Sequence, residues 1–160
     1  MEDPPLWPQF SKYCAILISA MPKPLRVLFV CIGNSCRSQL AEAIASHTAS
    51  DVMVPSSAGL APLGRIESST VRVLAQRGIP CQGQFSKDLH DDSLEYPFDL
   101  IVNMTGRSGR SIFPGQLQED WDVEDPFGND MASYSRICDD IEARIAKLAS
   151  RLRAGRPAES

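Results

Sequence analysis

The sequence predicts an α/β fold: a single three-layer domain in which a four-stranded parallel sheet lies between helices. Short apolar runs rich in β-forming residues alternate with segments whose apolar residues recur at helical spacing, in the order β-α-β-α-β-α-β-α. This alternation places helices on a parallel sheet through right-handed crossovers. A length of 160 residues suits one domain, and the sequence has no internal repeat.

The first half of the chain carries the clearest pattern. Residues 26–31 form an apolar run typical of a buried parallel strand. Gly33 and Asn34 then predict a tight turn, and residues 38–48 follow with apolar side chains at helical spacing. Residues 52–54 are predicted as a second short strand. The turn after the first strand therefore lies at the carboxyl edge of the sheet, where open α/β sheets bind their ligands.

The second half of the chain repeats the alternation of strands and helices, and its last strand can be placed in two ways. Residues 121–123 either carry the last strand or lead out of it. The other predicted elements are a helix over 67–77, a strand over 98–104, a short helix over 108–113 and a long amphipathic helix over 131–152.

The termini are expected to lie outside the domain. Several prolines interrupt residues 1–24, which predicts a poorly ordered N-terminal extension, and residues 155–160 are typical of a frayed tail. The domain is thus expected to span 25–154. The apolar stretch 13–20 follows acidic residues and prolines where a secretory signal needs a basic start, so we predict none.

Composition restricts the classes of partner. Sixteen basic residues stand against 20 acidic ones, giving a formal charge of −4 that disfavours binding to nucleic acid. No run of about 18 apolar residues occurs, so no membrane partner is expected. Five cysteines, an odd number in a chain of this length, argue against a disulfide framework and favour a reduced, cytoplasmic setting.

The residues that indicate chemistry follow the first strand, in the run Cys31-Ile32-Gly33-Asn34-Ser35-Cys36-Arg37-Ser38. A loop between a strand and a helix can turn its backbone N–H groups toward one centre, where the positive end of the helix also favours an oxyanion. Glycine and asparagine tolerate the backbone angles that such a loop needs. We therefore predict that residues 32–38 bind phosphate.

Cys31, Arg37 and Ser38 supply reactive side chains to this loop. The amides and the helix end favour the thiolate form of Cys31, which is then a nucleophile at neutral pH. The planar guanidinium of Arg37 can hold two phosphate oxygens, and the Ser38 hydroxyl can donate to the sulfur. A buried thiol beside a simple turn would account for Cys31 alone, but not for this combination.

This pattern resembles the low-molecular-weight protein tyrosine phosphatase family, whose signature is Cys-x5-Arg-Ser/Thr with Gly-Asn inside. The likeness covers residues 25–153 and includes Ser57-Ala58-Gly59, Gly78-Ile79-Pro80, Asp99-Leu100-Ile101-Val102 and Asp125-Pro126-Phe127-Gly128. Where the family often continues with Pro-Met-Ala-Glu, this chain has Gln39-Leu40-Ala41-Glu42. The resemblance implies strand order 2-1-3-4, no cofactor or metal, a phosphorylated protein as substrate, and a monomer or weak dimer.

The resemblance also assigns the second catalytic element, an Asp-Pro pair far down the chain. Five acids lie between Glu119 and Asp125, and spacing alone does not choose among them. Asp125-Pro126 is the one Asp-Pro pair after the loop. The implied mechanism has two steps: Cys31 attacks phosphorus while Asp125 protonates the leaving group, and Asp125 then activates the water that hydrolyses the phosphocysteine. Arg37 and the loop amides hold the phosphoryl group throughout.

The remaining cysteines and histidines receive separate predictions. By the family resemblance Cys36 is a redox guard that forms a reversible disulfide with Cys31, and otherwise it is a small packing residue. Cys14, Cys81 and Cys138 are predicted to be structural thiols, and His47 and His90 surface residues. A zinc site at Cys31, Cys36 and His47 is rejected because no second ligand pair has metal spacing. Trp121 and Phe127 either border the pocket or pack in the core.

Three other functions are considered. The first is hydrolysis of phosphoarginine. Ser35 is small and polar where many phosphotyrosine enzymes have a bulky apolar residue and phosphoarginine phosphatases have Thr, and Gly128 replaces the second aromatic residue that often follows Asp-Pro in phosphotyrosine enzymes. Arsenate reductases share Gly-Asn-Ser-Cys-Arg-Ser-Gln, but residues 99–115 lack the cysteines of a thioredoxin-linked relay, so an external thiol would be needed. A non-catalytic binding module is disfavoured because Cys31, Arg37 and Asp125 are all present.

Overall fold

The computed structural model describes residues 23–81 and 83–155. The predicted extension 1–24 and tail 155–160 fall almost entirely outside these residues. The strands are β1 (Leu25–Cys31), β2 (Met53–Gly59), β3 (Leu100–Asn103) and β4 (Gln118–Asp120), and the helices are α1 (Arg37–Thr48), α2 (Ser68–Gln76), α3 (Gly109–Ile112) and α4 (Met131–Arg153).

The four strands form one parallel sheet in the order β2-β1-β3-β4, so the predicted α/β fold and the strand order 2-1-3-4 are confirmed. β1 is central and pairs with β2 along its whole length, from Leu25 opposite Met53 to Cys31 opposite Gly59. The ends of β1 and β2 therefore lie side by side at the carboxyl edge of the sheet. No helix in the described part of the chain is long and apolar enough to cross a membrane.

Alternation along β1 divides the core into two layers. Val27 and Phe29 pack with buried residues of α1, α2 and α4 on one face of the sheet. Leu28 and Val30 pack on the other face, against residues of β3, of the 89–98 loop and at the end of α3. Because both faces are covered, β1 is almost wholly apolar, as expected for a strand in the middle of a parallel sheet.

Strand bounds differ from the predicted ones because pairing extends or ends strands regardless of composition. β2 continues beyond the predicted 52–54 to Gly59, since its polar second half still pairs with β1. Its Pro55 is tolerated because β2 lies at the edge of the sheet. β3 is shorter than the predicted 98–104. The fourth strand comes before 121–123, which leads out of it.

Candidate active site

The carbonyl groups of the loop between β1 and α1 point away from the centre of the loop. The carbonyls of Cys31, Ile32, Gly33 and Ser35 accept hydrogen bonds from the backbone N–H groups of the 60–67 segment, at 3.1, 2.9, 3.0 and 3.2 Å. The N–H and C=O of a trans peptide point in opposite directions, so the following N–H groups are directed into the loop. Within the described residues, the N–H groups of 32–38 donate to no protein atom. The loop therefore presents its amides to one centre, as an oxyanion requires.

Asn34 holds the middle of the loop. Its φ of 45° is the left-handed conformation that asparagine tolerates better than most residues. The side-chain amide is fully buried and donates to Ser38 Oγ at 2.8 Å and to Ser57 Oγ at 3.0 Å. Ser38 Oγ lies 2.9 Å from Cys31 Sγ. A buried chain of polar contacts thus runs from β2 through the loop to the predicted nucleophile.

Gly59, the last residue of β2, permits this packing. A Cβ atom at Gly59 would lie 2.6 Å from the Ile32 carbonyl oxygen and 2.8 Å from the Asn34 nitrogen, which is closer than van der Waals contact allows. Only glycine lets the end of β2 lie this close to the loop. From the sequence, Gly59 entered only as part of the family likeness, because its contact with the loop depends on strand pairing.

Arg37 is the first residue of α1, and it is only 6% exposed. Nη1 donates to the Met104 carbonyl at 2.7 Å and approaches the Val123 carbonyl at 3.3 Å, while Nη2 lies 3.4 Å from Asp125 Oδ2. The buried Nε has no hydrogen-bond partner among the described residues. Such an unpartnered buried donor on a cationic side chain fits an anion held by the same loop.

Among the five acids of 119–125, Asp125 is the one that lines the cavity. Three of the others pair elsewhere: Glu119 with Arg151 at 2.5 Å, Asp120 with the N–H of Gly109 at 3.2 Å, and Glu124 with Arg136 at 2.7 Å. Asp122 is exposed. Asp125 Oδ1 accepts the N–H of Phe127 at 3.1 Å, which orients the carboxylate beside Pro126. Of the five acids, Asp125 is therefore the one that the structure places at the cavity, and its role as proton donor stays a prediction.

A cavity of about 170 Å³ joins these groups, and its lining is made of Cys31, Ile32, Gly33, Ser35, Cys36, Arg37, Ala61, Leu63, Asp125 and Phe127. All three predicted catalytic side chains line it. Phe127 stands at its rim with 51% exposure, whereas Trp121 is buried with its ring 5.9 Å from that of Phe29. Of the two aromatic residues left undecided by the sequence, Phe127 borders the cavity and Trp121 packs in the core.

Cys36 is buried directly before α1 and shares the cavity with Cys31. Its Sγ lies 3.3 Å from the hydroxyl oxygen of Tyr134. Burial raises the pKa of Cys36. It also raises the pKa of Tyr134. Burial thus favours the neutral thiol form of Cys36, which adds no negative charge to the loop.

Ser35 has a fixed place in the loop wall. It is 2% exposed, its hydroxyl accepts the N–H of Glu67 at 3.1 Å, and its carbonyl accepts the hydroxyl of Thr70 at 2.9 Å. The position at which the family alternatives differ is thus occupied by a small, engaged polar side chain.

The other predicted residues lie away from the cavity. Cys138 is fully buried on α4, and burial raises its pKa to about 11. Cys81 is half-buried, and Cys14 lies outside the described residues. His47 and His90 are exposed, as predicted.

Three polar residues near the loop were missed by the sequence interpretation: the buried Gln39 and Ser57 and the half-buried Glu42. Burial raises the pKa of the Glu42 carboxyl, which accepts the Ser57 hydroxyl at 2.6 Å. Gln39 occupies a position where the family often has proline and where arsenate reductases share glutamine, and these two comparisons are the sequence signals that pointed to it.

Comparison with known proteins identifies one family for this chain. A family model described as "Low molecular weight phosphotyrosine protein phosphatase" matches residues 26–158. An arsenate reductase of Brevibacillus brevis is 33% identical over 127 residues, which cover 77% of this chain and 92% of that protein. An arginine phosphatase structure from Geobacillus stearothermophilus matches with 28% identity and a TM-score of 0.70, covering 82% of this chain and 95% of that one. A low molecular weight protein tyrosine phosphatase structure from T. tengcongensis matches with 29% identity and a TM-score of 0.68, covering 79% and 99%.

Proposed function

Because the chain belongs to the low molecular weight phosphotyrosine protein phosphatase family, we propose that it is a cysteine-dependent phosphomonoester hydrolase acting on phosphotyrosine in proteins. The chain is an enzyme of this family, and both the hydrolytic reaction and its substrate are proposed. The observation that carries the proposal is that Cys31, Arg37 and Asp125 line one cavity together, beside a loop whose N–H groups point inward.

In the first step the Cys31 thiolate attacks phosphorus from the base of the cavity. The amides of 32–38 and the guanidinium of Arg37 hold the three equatorial oxygens, over which the charge is spread in the transition state. Asp125 protonates the leaving oxygen, so the phenol departs as a neutral alcohol. The P–O bond to the phenol breaks as the P–S bond forms.

In the second step a water molecule hydrolyses the phosphocysteine. Asp125, now a carboxylate, accepts a proton from the water as its oxygen bonds to phosphorus. The P–S bond breaks, and the Ser38 hydroxyl, 2.9 Å from Cys31 Sγ, donates to the departing thiolate. Donation to the sulfur makes it a better leaving group. All residues required by this cycle come from the chain itself, and no metal takes part in the proposed steps.

Phosphoarginine in proteins is the second candidate substrate. Ser35 lines the cavity with a small polar side chain whose hydroxyl is held by the Glu67 N–H, and Gly128 stands where a second aromatic residue would stack on a phenol ring. The similarity to the Geobacillus arginine phosphatase supports this alternative. A guanidinium leaving group needs less apolar contact than a phenol does. A rim with one aromatic residue, Phe127, is therefore compatible with phosphoarginine.

Arsenate reduction is the third candidate, supported by the similarity to the Brevibacillus arsenate reductase. Arsenate resembles phosphate and fits the same ring of amides. Its reduction takes two electrons, which two thiols supply by forming a disulfide. Residues 99–115 contain no cysteine, so the second thiol would come from Cys36 or from an external donor.

A side-by-side rate comparison tests the proposal. We expect a phosphotyrosine peptide to be hydrolysed with the highest kcat/KM, a phosphoarginine peptide more slowly, and arsenate with a thiol donor slowest of the three. Faster hydrolysis of phosphoarginine would move the substrate assignment to that class. Arsenite formation without release of phosphate from either peptide would overturn the hydrolase proposal.

A reversible disulfide between Cys31 and Cys36 is the expected response to mild peroxide. Peroxide converts the Cys31 thiolate to a sulfenic acid, and the neighbouring Cys36 thiol condenses with it and releases water. Peptide mapping should find the bridge, and an added thiol should restore activity. With Cys36→Ser, Cys31 should instead proceed to irreversible sulfinic and sulfonic acids. Sulfonic acid at Cys31 of the unaltered protein, with no bridge, would contradict the role of Cys36.

The proposed setting is a reducing one, and we propose the cytoplasm. Cys31, Cys36, Cys81 and Cys138, the cysteines that the structure describes, are all free thiols, which supports this setting. The proposed partner is a phosphorylated protein.

A further inference from the structure

Residues 84–88, here called the clasp, cross the outside of the phosphate-binding loop. Ser86 Oγ donates to the Gly33 carbonyl at 3.2 Å, and the Lys87 N–H donates to Asn34 Oδ1 at 2.9 Å. The Lys87 carbonyl accepts the N–H of Gly59 at 2.9 Å. The clasp thus contacts both the loop and the end of β2, although about 50 residues separate it from the loop along the chain.

Gln39 connects the clasp to the loop from inside α1. Its side chain is fully buried. Its Nε2 lies 3.1 Å from the Asn34 carbonyl, 3.0 Å from Asn34 Oδ1 and 3.0 Å from the Phe85 carbonyl. Gln84 Nε2 donates to Gln39 Oε1 at 2.7 Å and to the Gln39 carbonyl at 3.1 Å. One side chain therefore contacts Asn34 on one side and two clasp residues on the other.

This use of Gln39 is not ordinary helix capping. Gln39 is the third residue of α1, where a glutamine commonly reaches back to the backbone N–H of the residue before the helix, here Cys36. Gln39 instead donates to Asn34, two residues further back, and leaves the Cys36 N–H directed into the loop. Its side chain supports the conformation of Asn34 without engaging an amide that would bind phosphate.

We propose that Gln39 is a positioning residue that links the clasp to Asn34. By fixing the Asn34 side chain it stabilises the contact between Ser38 and Cys31. This inference rests on the proposed function for its link to turnover. Asn34 Oδ1 accepts from Gln39 and Lys87, so its Nδ2 is directed at Ser38 and Ser57. Without Gln39, Lys87 alone holds Asn34 Oδ1 and the Asn34 carbonyl loses its contact, so the peptide between Asn34 and Ser35 and the Ser38 hydroxyl lose alignment.

The test compares Gln39→Ala and Gln39→Met with Thr48→Ala. Methionine keeps the side-chain volume and removes the hydrogen bonds, and Thr48 makes one side-chain hydrogen bond at the far end of the same helix. Three quantities are measured on folded protein: calorimetric affinity for inorganic phosphate, alkylation rate at Cys31 by mass spectrometry, and kcat and KM with an aryl phosphate.

We expect both Gln39 variants to bind phosphate about tenfold more weakly, the cost of losing about one buried hydrogen bond. Their kcat and alkylation rate at Cys31 should fall as well, while Thr48→Ala should match the unaltered protein. Gln84→Ala should have a smaller effect that disappears in the Gln39→Ala background, because Gln84 acts through Gln39.

Unchanged phosphate affinity and alkylation in both folded Gln39 variants would overturn the proposal, even if their thermal midpoints fell, since that is the result of a purely structural role. Equal effects of Gln84→Ala in both backgrounds would also contradict transmission through Gln39. Failure of the proposed function has a different outcome: the unaltered protein would bind phosphate and fail to hydrolyse the aryl phosphate, and the affinity comparison would still decide the role of Gln39.

Discussion

Replacing Cys31 with serine is expected to lower turnover of an aryl phosphate by about 10⁴-fold or more, while inorganic phosphate still binds. A serine hydroxyl ionises far less readily than a thiol and needs a neighbouring base. The hydrogen-bond partner of Cys31 Sγ is the Ser38 hydroxyl at 2.9 Å, which is not a base. The loop amides keep their orientation because the 60–67 segment holds the carbonyls, so phosphate affinity should persist.

Cys81→Ser is the matched control for this substitution. Cys81 is a half-buried free thiol outside the cavity, so the same chemical change there should leave turnover intact. The measurements are burst kinetics with an aryl phosphate and calorimetric titration with phosphate. Undiminished turnover by the Cys31 variant would show that the nucleophile lies elsewhere.

The sequence predicted the α/β fold class because that class depends on local patterns, whereas the strand order came from the family resemblance. The apolar run 26–31 and the helical spacing of 38–48 identify a buried strand and the helix after it, and the structure contains both. The errors lie where pairing outweighs composition. The second half of β2 is polar and contains Pro55, yet it pairs with β1 because the edge of β1 opposite β3 offers hydrogen-bonding groups along its whole length.

The candidate site was likewise predictable from spacing only where its residues are close in sequence. The residues at Cys31 to Ser38 are close in sequence, so their spacing alone indicated a phosphate-binding loop. Asp125 needed the family resemblance, since its proximity to Arg37 links positions 88 residues apart. Gly59 and Gln39 appeared in the family comparison, but nothing in the sequence indicated their roles, because these depend on atoms of the loop and the clasp that approach only after folding.

Replacing Asp125 with alanine is expected to lower kcat by about 10²- to 10⁴-fold for phosphotyrosine, and far less for an ester of an acidic phenol. A poor leaving group needs a proton as its bond to phosphorus breaks, whereas an acidic phenol departs as an anion without one. The rate should therefore depend more steeply on leaving-group acidity in the variant. Loss of Asp125 also removes the partner 3.4 Å from Arg37 Nη2, which frees that donor, so phosphate affinity should not fall.

Asp122→Ala is the control that tests the choice among the five acids. Asp122 is exposed three residues before Asp125 and does not line the cavity, so its loss should leave the dependence on leaving group unchanged. The measurement is kcat over a series of aryl phosphates of graded phenol acidity for both variants. If Asp125→Ala slowed every ester by the same factor, Asp125 would act on binding or on the thiolate instead of on the leaving oxygen. If Asp122→Ala showed the steeper dependence, the proton donor would be Asp122, and the orientation of Asp125 by Phe127 would have no part in proton transfer.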